Sequence, residues 1–233
     1  MPYKTIKYRH VREGHGGTLS VHALTPAIGT RKCLSCVGVY FPVSDQKCFV
    51  AHINSCLMPS DYLEHADTYL LPRVCENVEG ERIQNIVDDK LKQAARDGGW
   101  TEASVDRSKV IVVCSKYDSQ PTVSKFVVEA IRSFLKMGND LVVHAECHGF
   151  VADPTAAEAL LLPEESFLGG LDMDGEAKNG IWEQNVRGVI LRFEAGDIPE
   201  TTSGLQRWSI ILRDGVVPMA ERQGLIRRVA DSR

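Results

Sequence analysis

Two hydrophobic periods alternate along the chain, and the change from one to the other lays out its elements. Leu19-Ser20-Val21-His22-Ala23-Leu24 alternates apolar with polar and predicts a strand, broken by Pro26 and Gly29. Two apolar runs follow, roughly 35–42 and 48–55. The turn between them holds Pro42, Ser44 and Asp45, so the pair predicts a hairpin. Residues 57–79 lose both periods. Pro59, Pro72 and scattered charges there predict an irregular excursion with one short helix. From Gly80 the period becomes helical: Ile83, Ile86, Val87, Leu91 and Ala94 or Ala95 share a face, and Gly98-Gly99 ends it.

Val110-Ile111-Val112-Val113-Cys114 is short, continuous and β-branched, which predicts a buried strand. Thr122 or Ser124 caps a second helix with Phe126, Val127, Ala130, Ile131, Phe134 and Leu135 on its apolar face, stopped by Gly138-Asn139. Leu141 to Val151 reads as one further strand. The region 153–188 is acidic and Gly-rich, with an Ala/Leu patch at 156–162 that predicts a short helix. Val189 to Phe193 and Trp208 to Leu212 read as late strands, and the charged residues 220–233 as a surface tail or final helix. This order predicts an α/β layered sandwich, a mixed and mainly antiparallel sheet with helices on one face. Residues 1–17, polar, basic and rich in Gly and His, read as a flexible N-terminal arm. Residues 18–152 form the core, and 153–233 an extension packing on the same domain.

Composition narrows the function classes. At 233 residues, with 43% apolar and 25% charged, the chain buries a full core without staples. A net charge of −4 speaks against nucleic acid as a partner. No apolar run is long enough for a membrane span, and the N-terminus lacks a signal-peptide core, so a cytoplasmic location is expected. Seven cysteines without an export signal read as reduced thiols, with Cys48 and Cys114 in the core.

Two side chains in the hairpin stand out. Cys36 opens its first strand and His52 lies near the end of its second. Antiparallel pairing brings those ends side by side, and an imidazole beside a thiol makes a nucleophile. Cys33-x2-Cys36 also matches a redox motif or half of a zinc site, although a redox pair sits between strand and helix and this one precedes a strand. A zinc site would draw on His144, Cys147 and His148, which in one strand face two ways. A third reading has His148 or Glu146 lining the pocket opposite Cys36. Asp172 to Glu176 lacks the full calcium-loop spacing and reads as a solvated acidic loop that could close over a site. Gly14-His15-Gly16-Gly17 is neither a P-loop nor a dinucleotide fingerprint. Trp182 and Trp208 read as core or interface. No metal and no cofactor is expected.

The pattern Thr30-x5-Cys36-Val37-Gly38-Val39, a turn, then Ala51-His52 resembles the CheD family of chemoreceptor glutamine deamidases. Ser35-Cys36-Val37 matches the core motif of that family, and Thr30 stands at its offset from the cysteine. The resemblance spans roughly residues 18–152, and the wider fold group includes toxin deamidases of the cytotoxic necrotizing factor type. It implies a CheD-like fold with Cys36 as nucleophile, His52 as proton carrier and Thr30 as orienting group, with Ser35 and Asn54 at the substrate. The implied substrate is a glutamine-containing protein or a small amide, hydrolysed through a thioester with release of ammonia. The chain departs from the family at Lys32, Cys33 and Leu34, where the family has glycines. Leu57-Met58-Pro59 follows the histidine later than the family's Leu-Pro, and the last third has no counterpart. Two other functions fit the same residues: a different thiol-mediated acyl transfer, or a non-catalytic binding scaffold of this fold.

Overall fold

Alternation along the hairpin sorts its side chains onto two separate cores. The computed structural model describes residues 4–21, 24–54, 77–115, 117, 122–154, 156, 158–169, 181–194 and 205–208. The hairpin is β5 (Val37–Ser44) and β6 (Lys47–Ile53), antiparallel, with Val37 opposite Ile53 and Gly38 opposite His52. Val37, Val39 and Phe41, with Phe49, Ala51 and Ile53, face one core. Tyr40, Cys48 and Val50 face another. A two-residue period on a sheet with both faces covered has this consequence.

The first core is closed by two helices. In α1 (Asn77–Gly98), Ile83, Val87, Leu91, Ala94 and Ala95 are buried on one face. The helix gives way at Gly99, whose φ of 67° suits glycine. In α2 (Val123–Leu135), Thr122 is the N-cap, its hydroxyl accepting from the Lys125 amide. The chain leaves that helix through Lys136 in a left-handed conformation, φ 54°, two residues before the expected Gly138 stop. The helices touch closely because Gly80 carries no side chain: a Cβ there would lie 2.2 Å from the Phe126 ring. Each fully buried Val, Leu or Ile on these faces is worth about 1.5–3 kcal/mol of apolar burial.

Three mixed sheets stack behind the helices. Beyond the hairpin, the six-stranded sheet contains β3 (His15–Ser20), β7 (Ile111–Val113), β8 (Val143–His144) and β13 (Gln206–Arg207), in the order β13-β3-β6-β5-β7-β8. The four-stranded sheet contains β2 (Arg9–His10), β4 (Ile28–Thr30), β9 (Cys147–Ala152) and β10 (Leu160–Pro163), ordered β10-β9-β4-β2. Ile28, Phe150 and Ala152 of this sheet join the second core, while Ala27, Val151 and Leu162 face a third. The third core is closed by β1 (Lys4–Lys7), β11 (Ile181–Val186) and β12 (Val189–Glu194), ordered β1-β12-β11. There Phe193 stacks between His10 and Trp182, with ring centroids 4.4 and 5.0 Å away, and the Arg31 guanidinium lies 4.2 Å over Trp182.

The α/β class and the two helices on one face hold, but the expected sheet is divided into three. The segment read as an N-terminal arm supplies a strand to every one of them. Its apolar residues are too sparse to show a period, yet Tyr8 and Val11 are fully buried. The single strand expected over Leu141 to Val151 is broken by a turn at Ala145-Glu146 and passes from the six-stranded to the four-stranded sheet. The Ala/Leu patch at 156–162 ends in β10, because Leu160, Leu161 and Leu162 alternate between the third and second cores. Of the late strand expected over Trp208 to Leu212, Trp208 lies just past the end of β13 and 209–212 lie outside the described residues, as do the excursion at 57–76, the acidic loop at 172–176 and the segment 220–233. Trp208 is buried in the first core. Among the described residues no helix is long and apolar enough to cross a membrane.

The β3–β6 pair is the tightest seam of the six-stranded sheet. A Cβ on Gly16 would lie 2.3 Å from Ala51 Cβ and 2.9 Å from Trp208 Cδ1. Gly16→Ala is expected to cost about 1–3 kcal/mol of overpacking, read as a lowered midpoint in denaturant unfolding. An unchanged midpoint would contradict the register of these strands.

Candidate active site between two sheets

The site lies in the second core, where β4 of one sheet hands the chain to β5 of the next. Residues 31–36 make that crossing and are pinned to both sides. The Cys33 amide donates to His148 O at 2.7 Å, and the Ser115 amide donates to Cys33 O at 3.1 Å. Lys32 takes a left-handed conformation, φ 65°, and its amide donates to His148 Nδ1 at 3.2 Å. A lysine there costs conformational energy that the surrounding hydrogen bonds offset.

Opposite His52 stands Gly38, and the space that a side chain would fill is taken by others. An ideal Cβ on Gly38 would be 2.8 Å from Cys33 Sγ, 2.8 Å from Val113 Cγ2 and 3.1 Å from Thr30 Cγ2. His52 therefore packs into a pocket made by Thr30 and Cys33, only 1% exposed. The Thr30 hydroxyl has one proton, and Val11 O, 2.9 Å away, can only accept it. The His52 Nδ1, 2.8 Å from the same oxygen, must then be the donor. This chain of two hydrogen bonds assigns the Nδ1–H tautomer and leaves Nε2 as a bare lone pair. Nε2 is buried and has no hydrogen-bond partner among the described residues. Burial pushes the His52 pKa down from its ordinary 6.5 to about 3, with His15 adding a smaller push, so the ring is neutral.

Two thiols flank this histidine. Cys33 Sγ is 3.8 Å from Nδ1 and fully buried. Burial holds its pKa well above the usual thiol value, reinforced by Cys114 and Glu13 and opposed by a hydrogen bond with Thr30. Cys36 immediately precedes β5, whose ladder opens at Val37 opposite Ile53. Its Sγ lies 3.9 Å from Asn54 Oδ1 and 3.7 Å from Glu13 Oε1. The structure thus joins Thr30 to His52 and Cys36 to Asn54, and the thiol it sets against the His52 Nδ1 is Cys33. Ser35 is buried in the crossing loop.

Sequence reasoning missed two participants. The Val11 carbonyl anchors Thr30, and Glu13 reaches the Cys36 sulfur. Both sit in a segment whose only sequence signal was its glycines. The Gly14 φ of 69° reverses the chain there, and its amide donates to His52 O at 3.0 Å. The proposed cluster of His144, Cys147 and His148 is split by the turn at Ala145-Glu146, which puts His144 in the six-stranded sheet and the other two in the four-stranded sheet. His148 is instead a structural hub, with Nε2 3.0 Å from Ser166 Oγ and Nδ1 taking the Lys32 amide. No group of three metal-ligating side chains occurs among the described residues. A groove of about 400 Å³ lined by Tyr40, Asp45, Asp106, His144, Asp153 and Leu161 lies further along β5, away from Cys36 and His52.

Three buried histidines make the fold acid-sensitive. Burial lowers the pKa of His10 well below 6.5, that of His52 to about 3 and that of His148 to about 4. Below pH 6.5 the unfolded chain binds these protons and the folded chain does not. Stability is therefore full above pH 6.5 and falls as the pH drops toward those depressed values, with a limiting slope of about 1.4 kcal/mol per pH unit for each histidine. Unfolding free energies measured from pH 7 to 4.5 should fall steadily, and His148→Gln should flatten the slope. A pH-independent stability over that interval would contradict the neutral, buried state.

No protein-family model matches the chain, and no curated protein matches it.

Proposed function

We propose that the chain is a thiol-dependent amide hydrolase of the CheD type, acting on a glutamine carboxamide, with Cys36 as nucleophile, His52 as proton carrier and Thr30 as the group that orients His52. One observation carries the reading: Thr30 holds His52 by Nδ1 and leaves its Nε2 without a hydrogen-bond partner among the described residues, two positions along the hairpin from Asn54, which lies against the Cys36 sulfur. A third group fixing the tautomer of a base beside a nucleophile is the arrangement such catalysis needs.

The chemistry follows from the neutral state of the ring. The His52 Nε2 accepts the Cys36 proton as the sulfur attacks the carboxamide carbon, so no charged pair has to exist at rest. A C–S bond forms and the carbonyl oxygen becomes an oxyanion. Backbone N–H groups of the loop around Ser35 and Cys36 are its donors. The proton on Nε2 passes to the nitrogen, the C–N bond breaks and ammonia leaves. Water then attacks the thioester, giving its proton to Nε2, and the C–S bond breaks to return the thiol and release a carboxylic acid. Asn54, beside Cys36, contributes an amide to hold the substrate.

The contact of Cys33 with His52 supports a second reading, in which Cys33 is the thiol. Its place within the interlayer core, against Gly38 and Val113, favours a packing role. The two readings separate by mutation. With a blocked glutaminyl dipeptide and a glutamine-containing protein as substrates, Cys36→Ser should abolish ammonia release and Cys33→Ala should keep it. His52→Gln should lose about 10²–10⁴-fold in rate. Thr30→Val should lose roughly tenfold, the equivalent of one hydrogen bond of about 1.4 kcal/mol. Full ammonia release by Cys36→Ser would sink the assignment, and its loss on Cys33→Ala with retention in Cys36→Ser would establish the second reading. Absence of ammonia release from the native chain with every amide tried would favour the non-catalytic scaffold.

A further inference from the structure

Glu13 takes no part in the reaction just described, yet its carboxylate lies 3.7 Å from the sulfur that performs it. Its position is built. The turn that carries it is tied to the site on both sides: Val11 O accepts from Thr30, and the Gly14 amide donates to His52 O. The Val11 amide donates to Gly29 O at 2.9 Å, and the His15 amide to Arg12 O at 3.2 Å. The Glu13 carbonyl itself lies 2.9 Å from His15 Nδ1. A residue that moved with a loose loop would not be fixed through the backbone of the two residues that hold the proton carrier. The side chain is exposed while Cys36, whose sulfur it touches, is 3% exposed, so the carboxylate offers that sulfur a solvent-facing polar neighbour.

A carboxylate accepts hydrogen bonds and repels anions. A primary carboxamide presents two N–H donors on the atom that must leave, and that nitrogen gains positive character as it is protonated. The carboxylic acid product ionises and presents only oxygen. We infer that Glu13 is a specificity-determining residue of the site, accepting an N–H of the substrate carboxamide, favouring the departing ammonia and rejecting the carboxylate product. This rests on the amide-hydrolase reading above. The bond changes are those already given, with C–S forming and C–N breaking, and Glu13 neither gains nor loses a covalent bond. The substrate class follows: neutral primary amides, against carboxylates and against esters, which offer no N–H.

The test compares a blocked glutamine peptide with the γ-methyl ester of the matching glutamate peptide, using the full chain. Both substrates pass through the same thioester, but only the amide has an N–H for Glu13. Glu13→Gln should lower kcat/KM for the amide by about 10- to 100-fold, as for loss of a hydrogen bond to a charged group. It should change ester hydrolysis less than about threefold by the same reckoning. It should also strengthen inhibition by the glutamate product, and Glu13→Asp should recover part of the amide rate. Equal losses on amide and ester would show that Glu13 acts only on the fold or on the sulfur, and would overturn the inference while leaving the hydrolase intact. A native chain that cleaves neither substrate would overturn both.

Discussion

A single hydroxyl holds the two inner sheets in register. Thr30 Oγ1 gives its proton to Val11 O and takes one from His52 Nδ1, so one oxygen joins β4, β6 and the turn that leads into β3. Each of these groups is buried, and a buried polar atom without a partner costs about 1–3 kcal/mol. Removing the oxygen would orphan a carbonyl and a ring nitrogen together. The cores on either side are apolar and would accept many side chains of the right volume, whereas this relay accepts few. It also explains why Gly38 stands opposite His52, since a side chain there would occupy the space of Cys33, Val113 and Thr30.

The same relay sets a limit on the chemistry. A ring this deeply buried prefers to be neutral, so the low-dielectric setting that strengthens its hydrogen bond to Thr30 also weakens it as a base. In the proposed reaction such a ring would move a proton during attack, without storing an ion pair in the resting state. The proposed chemistry and the stability of the fold would then draw on one set of atoms.

Much of this was legible in the order of residues, and the boundary of what was not has a physical explanation. Both helices announced themselves through period, because each presents one face to a core, while the hairpin and the buried strand at Val112 showed as apolar runs, because both of their faces are covered. The hairpin spacing and the family resemblance pointed to Thr30, Cys36 and His52. The division into three sheets was hidden, because a strand crossing between sheets keeps its alternation, and nothing in Ala145-Glu146 marks the point where it turns. The N-terminal strands were hidden for a related reason. The first two are short, the buried Tyr8 and Val11 stand singly beside them, and the partner of β1 is distant in the chain. Glu13 and the carbonyl of Val11 lay in that silent segment. The contact of Cys33 with His52 depended on the path of a six-residue loop, which local pattern does not encode.

That distance along the chain governs how the molecule is made. Lys4 pairs in parallel with Val189, and Gly16 pairs antiparallel with Gln206, so strands early in the sequence have partners late in it. Such non-local pairings are slow to form, because loop-closure entropy is lost before any contact compensates for it. The turn that positions Glu13 does not depend on those distant partners, since β2 pairs with β4 and β3 with β6. Only β1 has its sole strand partner near the far end of the described residues. The surroundings of Cys36 and His52 are therefore set by pairings close in sequence, and the outer three-stranded sheet is the part whose closure depends on the longest ones.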